Sequence, residues 1–213
     1  MRYDDAVARL TPFPAELPPA ASGLAAEILD EGLRARALRE PPPGVVPRRA
    51  AVLVLLHPDD DGEAQVVLTE RATRDGHHSG EVSFPGGRAE DGDVDTAATA
   101  LREAAEEVAL DPRQAGVRVV GELEGFWIPP SNFHVTPVVA VALRRPLLVA
   151  SEAEVARIVH APLERFLPDA PIEIVERTIR DWPLRFGTYQ VEGLTVWGAT
   201  ARILSQLGAV LGR

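Results

Sequence analysis

The chain of 213 residues contains no cysteine and no lysine. Without cysteine there are no disulfides, no thiolate nucleophile and no cysteine-ligated zinc. All 22 basic residues are arginine, which excludes a Schiff-base lysine and the lysine of a phosphate-binding loop. An arginine- and alanine-rich bias accounts for the missing lysine without a functional cause. No apolar run approaches the roughly 20 residues needed to cross a bilayer, so no membrane partner is expected. The opening "MRYDDAVARL" is acidic where a signal peptide would be basic and apolar, and the expectation is a cytoplasmic protein. Positive charge is also short, with 22 basic against 32 acidic residues and a net charge of −10. That balance disfavours a nonspecific nucleic-acid binder, and an anionic ligand would need clustered arginines or a metal ion.

Apolar residues make up 46% and charged residues 25%, the balance of a globular chain with one main core. Residues 1–40 read as mostly helical, from "YDDAVARL" and the helix formers after Ser22. "PPPGVVP" (41–47) then acts as a stiff connector, so the expected division is a helical extension over 1–47 and a main domain over 48–213. Two roles are open for residues 1–40: a cover for a pocket, or a subunit contact of a homodimer. "AAVLVLLH" (50–57) and "AQVVLTE" (64–70) predict a hairpin of buried strands. "GVRVVGELEGFWI" and "NFHVTPVVAVAL" predict two long strands around "PPS". "SEAE" (151–154) has capping-box spacing and predicts a short helix to about His160. Two further strands, "IEIVERTIR" and "RFGTYQV", precede a closing helix over "VWGATARILSQLGAVL". Helices set between groups of strands predict an α+β fold, a central mixed sheet with helices around it.

The stretch "FPGGRAEDGDVDTAATALREAAEEVAL" (84–110) carries the chemistry. Its helix starts near Asp95 or Thr96, either of which can cap it. At about 100° per residue, with Glu103 at zero, Glu107 falls near +40° and Glu106 near −60°, so the three carboxylates share one arc. Ala97, Leu101, Ala104, Ala105 and Val108 fall on the other side and are expected to pack on the sheet. Arg102 reaches Glu106 as an i, i+4 partner. In water such a cluster costs only a few tenths of a kcal/mol per like-charge pair, so a solvated acidic face is the ordinary outcome. The preceding "PGG" (85–87) points elsewhere, because glycine lets backbone approach a ligand and offer carbonyl oxygens to a hard cation held by the same acids.

Arg102, Glu103, Ala104, Glu106, Glu107 and Leu110 match in order the tail of the signature box of the Nudix hydrolases, which this stretch resembles. Two departures stand out. Ala109 occupies the usual glycine position, a small change if the helix runs one residue longer; Val94 replaces the glutamate expected eight residues before Arg102, with Asp93 just ahead. Upstream, Leu68, Thr69, Arg71, Ala72, Gly80, Phe84, Pro85, Gly86 and Gly87 are similar to the branch of the family that cleaves coenzyme A. "HVTPVVA" (134–140) and "VWGATARIL" (196–204) continue that likeness, which spans roughly residues 45 to 205. Gly76 stands where the branch has a second arginine, for which Arg74 is the candidate substitute.

The resemblance implies a Nudix-type α/β/α sandwich and hydrolysis of a diphosphate that joins a nucleoside to another group, with Mg²⁺ or Mn²⁺ as cofactor. The expected substrate is coenzyme A or an acyl derivative, cut to (acyl-)phosphopantetheine and adenosine 3′,5′-bisphosphate. A different nucleoside diphosphate derivative or a nucleoside triphosphate is the alternative, and a non-catalytic nucleotide-binding module is the reading of another class. Glu103, Glu106 and Glu107, with Gly87, would hold the metal. Arg102 would fix a carboxylate rotamer or the helix orientation. Arg71, Arg74 and Gly86 would meet the substrate, guanidinium binding phosphate bidentately. The general base is one of the three glutamates, Glu152 or Glu154. His77 and His78 read as loop residues near the pocket. Trp127, Pro129 and Pro130 form a candidate base-stacking wall, with core packing the ordinary role of such a tryptophan. Phe84 reads as an anchor of the loop under the acidic helix.

Overall fold

The apolar run 50–57 becomes the spine of the molecule, strand β2. Leu53 and Leu55 point to one face of the sheet and Val54 and Leu56 to the other, and all four are buried, as a strand covered on both sides requires. The computed structural model describes residues 1–38, 40–72, 81–179 and 181–213. In chain order the elements are α1 Tyr3–Arg9, β1 Glu27–Ile28, α2 Glu31–Arg36, β2 Arg48–Pro58, β3 Ala64–Arg71, β4 Val82–Ser83, β5 Gly86–Arg88 and α3 Thr96–Val108. They continue with α4 Pro112–Ala115, β6 Val117–Glu122, β7 Phe126–Ile128, β8 Phe133–Ala142, β9 Val155–Pro162, β10 Glu173–Ile179, β11 Trp182–Val191, β12 Leu194–Val196 and α5 Gly198–Leu211.

The main sheet is mixed. β2 runs parallel to β8 from Arg48↔Phe133 to Leu56↔Val141 and antiparallel to β3 and β5. β6 and β7 pair in succession with β8, and β4 and β9 with β3. Helix α3 covers one face, where Ala100, Ala104 and Val108 meet Ala51, Leu53, Leu55, Val138 and Ala140. Helix α5 covers the other, where Leu204, Leu207 and Leu211 belong to one cluster with Val54, Leu56, Val66 and Leu68. This is the α/β/α sandwich that the pattern of elements predicts. A smaller antiparallel sheet has β11 at its centre, paired with β1, β10 and β12.

Three local expectations are corrected. After Ser22 there is no long helix among the described residues: Glu27 and Ile28 pair with Arg185 and Leu184 of β11, and beyond one 3-10 turn at Ser22–Leu24 only the six residues of α2 are α-helical, capped by Asp30 on the Leu33 amide. Sheet pairing overrides helix propensity there. Residues 151–160 do not form a helix either. The Ser151 carbonyl accepts from the amides of Glu154 and Val155 in a tight turn, and the apolar alternation after it becomes β9 along β3. The predicted strand 116–128 is interrupted at 123–125 and splits into β6 and β7. Tyr3, Ala6 and Leu10, from α1 and the residue after it, are buried in the cluster that holds α5.

Candidate active site

Helix α3 begins where its cap dictates. Asp95 accepts from the Ala98 amide at 2.7 Å, which satisfies one of the four amides a helix start leaves open. It ends at Val108, and Ala109 takes the left-handed conformation with φ 52°. The helix therefore does not run one residue longer to absorb the alanine: the position keeps the backbone that suits glycine, and the side chain is strained there.

Burial separates the three carboxylates. The Glu106 side chain is 60% exposed, Glu103 is half-buried, and Glu107 is only 7% exposed. Ala105, placed on the packed face by the helical wheel, is instead exposed, since the buried arc is rotated toward Glu107. Glu107 Oε2 accepts the Gly86 amide at 3.0 Å. Desolvation pushes its carboxyl up to about 7, against the pull of that amide and of the Arg71 charge, and the charges of Glu154 and Glu103 add to the rise. Desolvation also raises Glu103, opposed by Arg102 and assisted by Glu106 and Glu154.

The two glycines of the loop serve different purposes. A Cβ on Gly86 would come within 2.5 Å of the Ala51 carbonyl and 2.6 Å of Val52 Cα, so only glycine lets β5 lie against β2. A Cβ on Gly87 would meet Glu103 Oε2 at 2.5 Å and Cδ at 2.6 Å; the carboxylate occupies the space a side chain would fill. Phe84 anchors the loop, but on the opposite side from the one expected: it is buried in the α5 cluster. The Pro85 carbonyl ties the loop to β2 through the Leu53 amide at 2.8 Å.

Arg102 joins loop to helix. Its Nε and Nη2 donate to the two oxygens of Asp93, each at 3.1 Å. Nη1 reaches Glu103 at 3.0 Å and Glu106 at 3.3 Å, and Nη2 also donates to the Arg88 carbonyl at 2.9 Å. The bidentate pair holds the Asp93 carboxyl well below the usual carboxylate range and raises Arg102. Val94, the residue at the usual glutamate position, is 89% exposed; Asp93 makes the contact one residue earlier in the chain.

The remaining candidates divide. Arg71 ends β3 and its charge acts on Glu107. The Gly86 amide is engaged by Glu107. Arg74, Gly76, His77, His78 and Gly80 lie outside the described residues. The turn at 151–154 closes on the end of α3, where the Ser151 amide donates to the Glu107 carbonyl at 2.8 Å. Glu152 and Glu154 are both exposed, and the charge of Glu154 raises Glu103 and Glu107. No capping pattern could reveal this, because it depends on β9 replacing a helix. Trp127 is half-buried and its indole N–H donates to Asn132 at 3.0 Å, while Pro129 and Pro130 are exposed.

Among the described residues no group of three or more His, Cys, Asp or Glu is placed so as to hold a metal ion. The donor chemistry nevertheless fits a hard divalent cation: oxygen ligands only, with Glu103 packed on a bare glycine backbone and two desolvated carboxyls carrying unfavourable charge.

Fold and site define a class, an α/β/α sandwich in which a glycine loop is clamped by the carboxylates of one acidic helix. The chain belongs to the NUDIX domain family, which matches residues 47–182. It is 40% identical over 174 residues to an Arabidopsis thaliana protein named "Nudix hydrolase 22, chloroplastic", covering 78% of this chain and 56% of that one. It is 37% identical over 182 residues to "Nudix hydrolase 15, mitochondrial" of the same plant, covering 81% of this chain and 62% of the relative. The chain thus spans between half and two thirds of the length of these two relatives. A crystal structure of a Nudix hydrolase from M. smegmatis, RenU, aligns with 26% identity and a TM-score of 0.46, covering 55% of this chain and 72% of that chain. No helix among the described residues is long and apolar enough to cross a membrane.

Proposed function

We propose that this protein hydrolyses a nucleoside diphosphate derivative with the help of a divalent cation, and that its substrate is coenzyme A or an acyl-coenzyme A. The observation that carries the reading is the pair Glu103 and Glu107, carboxyls seated on Gly87 and Gly86 whose desolvation outweighs the pull of Arg102 and Arg71. A binding module has no need of so costly a pair. Membership of the NUDIX family and the match of Leu68 to Gly87 with the coenzyme A branch support the substrate class.

Glu103, Glu106 and Glu107, with the Gly87 carbonyl, would hold Mg²⁺ or Mn²⁺. Such an ion neutralises diphosphate charge and acidifies water, the two needs of attack on phosphorus by hydroxide. Arg102, fixed by Asp93, orients the carboxylates of Glu103 and Glu106. Arg71 offers a guanidinium to the phosphates. Glu154, exposed beside the two desolvated acids, is the residue we assign to accept the proton of the attacking water. Water adds to phosphorus and the anhydride P–O bond breaks; coenzyme A leaves as phosphopantetheine and adenosine 3′,5′-bisphosphate.

Gly76, in place of the branch's second arginine, favours a second reading in which another nucleoside diphosphate derivative or a nucleoside triphosphate is cut. One experiment separates the two. Purified protein is incubated with Mg²⁺ or Mn²⁺ and with coenzyme A, ADP-ribose or nucleoside triphosphates, and products are identified by mass. Phosphopantetheine together with adenosine 3′,5′-bisphosphate is the expected result. Intact coenzyme A beside cleavage of another compound establishes the second reading, and no cleavage of any compound removes both.

A further inference from the structure

The strand registers place two adjoining rows of residues on the face of the sheet that α3 covers. Directly opposed residues share a face. One row is Gly87, Ala51 and Thr136, and the Glu103 carboxylate lies over its first member. The next row, toward the start of β2, is Arg49, His134 and Trp127. At about 4.8 Å between strands and about 7 Å per two residues along one, this second row spans roughly 10 Å and starts one side chain from the candidate site.

The row is open and its rings are held in place. Arg49 and His134 are exposed and Trp127 is half-buried. Trp127 is oriented by its bond to Asn132, which sits in the left-handed region at φ 52°. The His134 ring lies over Gly125, where a Cβ would come within 2.7 Å of Cε1. Arg48 faces the other side of the sheet and is engaged there, 4.1 Å over the Phe133 ring and bonded to the Ser131 carbonyl at 2.7 Å. Arg49 has no ion pair or side-chain hydrogen bond among the described residues. A guanidinium and a fixed indole, about 10 Å apart on an open sheet face, match a flat base at one end and a phosphate at the other.

We infer that the row Arg49, His134 and Trp127 is the subsite for the nucleoside half of the substrate, with the base stacked on Trp127 and a ribose phosphate outside the scissile anhydride held by Arg49. This rests on the diphosphatase reading for the identity of the site, and it adds the groups that choose the nucleotide. His134, between the two, borders the ribose.

The test is calorimetric titration of the full chain, in EDTA, with adenosine 3′,5′-bisphosphate and with adenosine 5′-monophosphate. The unaltered protein should bind the bisphosphate more tightly. Arg49→Gln should erase that preference, and Trp127→Ala should weaken both ligands by about 10-fold or more, the worth of one base stack. Trp127→Phe, which keeps an aromatic face, should stay within roughly threefold; it and Arg49→Gln decide the matter if Trp127→Ala does not fold. A Trp127→Phe protein that loses much more than threefold, or Arg49→Gln and Trp127→Ala proteins that bind both nucleotides as the unaltered chain does, would overturn the subsite. If some diphosphate is cleaved with unchanged KM in these variants, the subsite fails and the diphosphatase reading stands. If nothing is cleaved but binding follows the expected pattern, the subsite stands and the reading fails.

Discussion

The Gly86 amide donates to Oε2 of Glu107 at 3.0 Å, and this bond fixes the most deeply buried carboxylate of α3 against the glycine loop. The bond lowers the cost of ionising Glu107, while burial raises it by more, so the carboxyl sits at about 7. Glu107→Gln keeps the acceptor and removes the charge. Turnover should fall by orders of magnitude in a product assay, while urea unfolding at pH 8 without metal should show the variant more stable by about 2 kcal/mol, the shift discounted for residual solvent. A variant with near-normal turnover would remove Glu107 from the proposed chemistry.

Loss of desolvated charge to a bound cation should be visible without any substrate. Mg²⁺ or Mn²⁺ at millimolar concentration is expected to raise the melting temperature of the unaltered protein, and Glu103→Gln with Glu107→Gln should remove most of that rise. Equal rises in both proteins would show that the ion binds elsewhere.

The pH dependence of stability has two opposed contributions. Glu107, raised from 4.5 to about 7, stabilises the fold below 4.5, and this is lost as pH rises to 7, because the folded state binds the extra proton. The His57–His160 pair acts the other way. His57 Nδ1 can only donate to the Pro58 carbonyl, so its Nε2 accepts from His160 Nδ1 at 2.7 Å and both rings are neutral. Desolvation, His57 and Arg145 lower His160 from 6.5 to about 4. Desolvation and Arg145 also lower His57, against the Pro58 bond and the Asp59 charge. Stability from the pair is present above 6.5 and lost as pH falls toward 4. In metal-free protein between pH 4.5 and 6.5, stability should therefore change more steeply upward with pH in Glu107→Gln, and more steeply downward in His160→Gln, than in the unaltered chain. Parallel curves for the three proteins in chemical denaturation would contradict the assignment.

The helix end offers a stabilising change. Ala109 has φ 52°, a conformation that costs a residue with a Cβ about 1 kcal/mol relative to glycine. Ala109→Gly should gain roughly that amount in thermal or urea unfolding and leave turnover unchanged. A destabilised variant would mean that the exposed methyl group contributes packing the structure does not give it.

Asp93 and the loop glycines make a further set. Asp93→Ala should lower kcat by about 10-fold or more by releasing Arg102 from the loop, and adding Val94→Glu should not restore it, since position 94 points into solvent. Gly86→Ala meets backbone at 2.5 Å and should destabilise by about 2 kcal/mol or more. Gly87→Ala meets only the end of the Glu103 side chain, so it should fold and lose turnover. Full activity in Gly87→Ala would separate Glu103 from the site.

Periodicity was sufficient where a segment's partner is its own neighbour or the sheet as a whole. Strands β2, β3, β8, β10 and β11 and helices α1, α3 and α5 follow from apolar spacing and caps, and Arg102–Glu106 follows from helical geometry. It failed where a distant strand decides. Residues 27–28 and 155–160 look helical until β11 and β3 offer them hydrogen bonds. The Asp93–Arg102 pair spans nine residues of loop and helix, so the aspartate was visible in the chain and its contact was not.

The sequence by itself determined the acidic helix, its glycine loop and the exclusion of thiol and lysine chemistry, because these depend on residue type and on spacing within one turn. Only the tertiary structure decided which carboxylate is buried. Rotation of α3 on the sheet is set by how Ala100, Ala104 and Val108 fit Ala51, Leu53 and Leu55, and that fit turns Glu107 inward and leaves Glu106 in water.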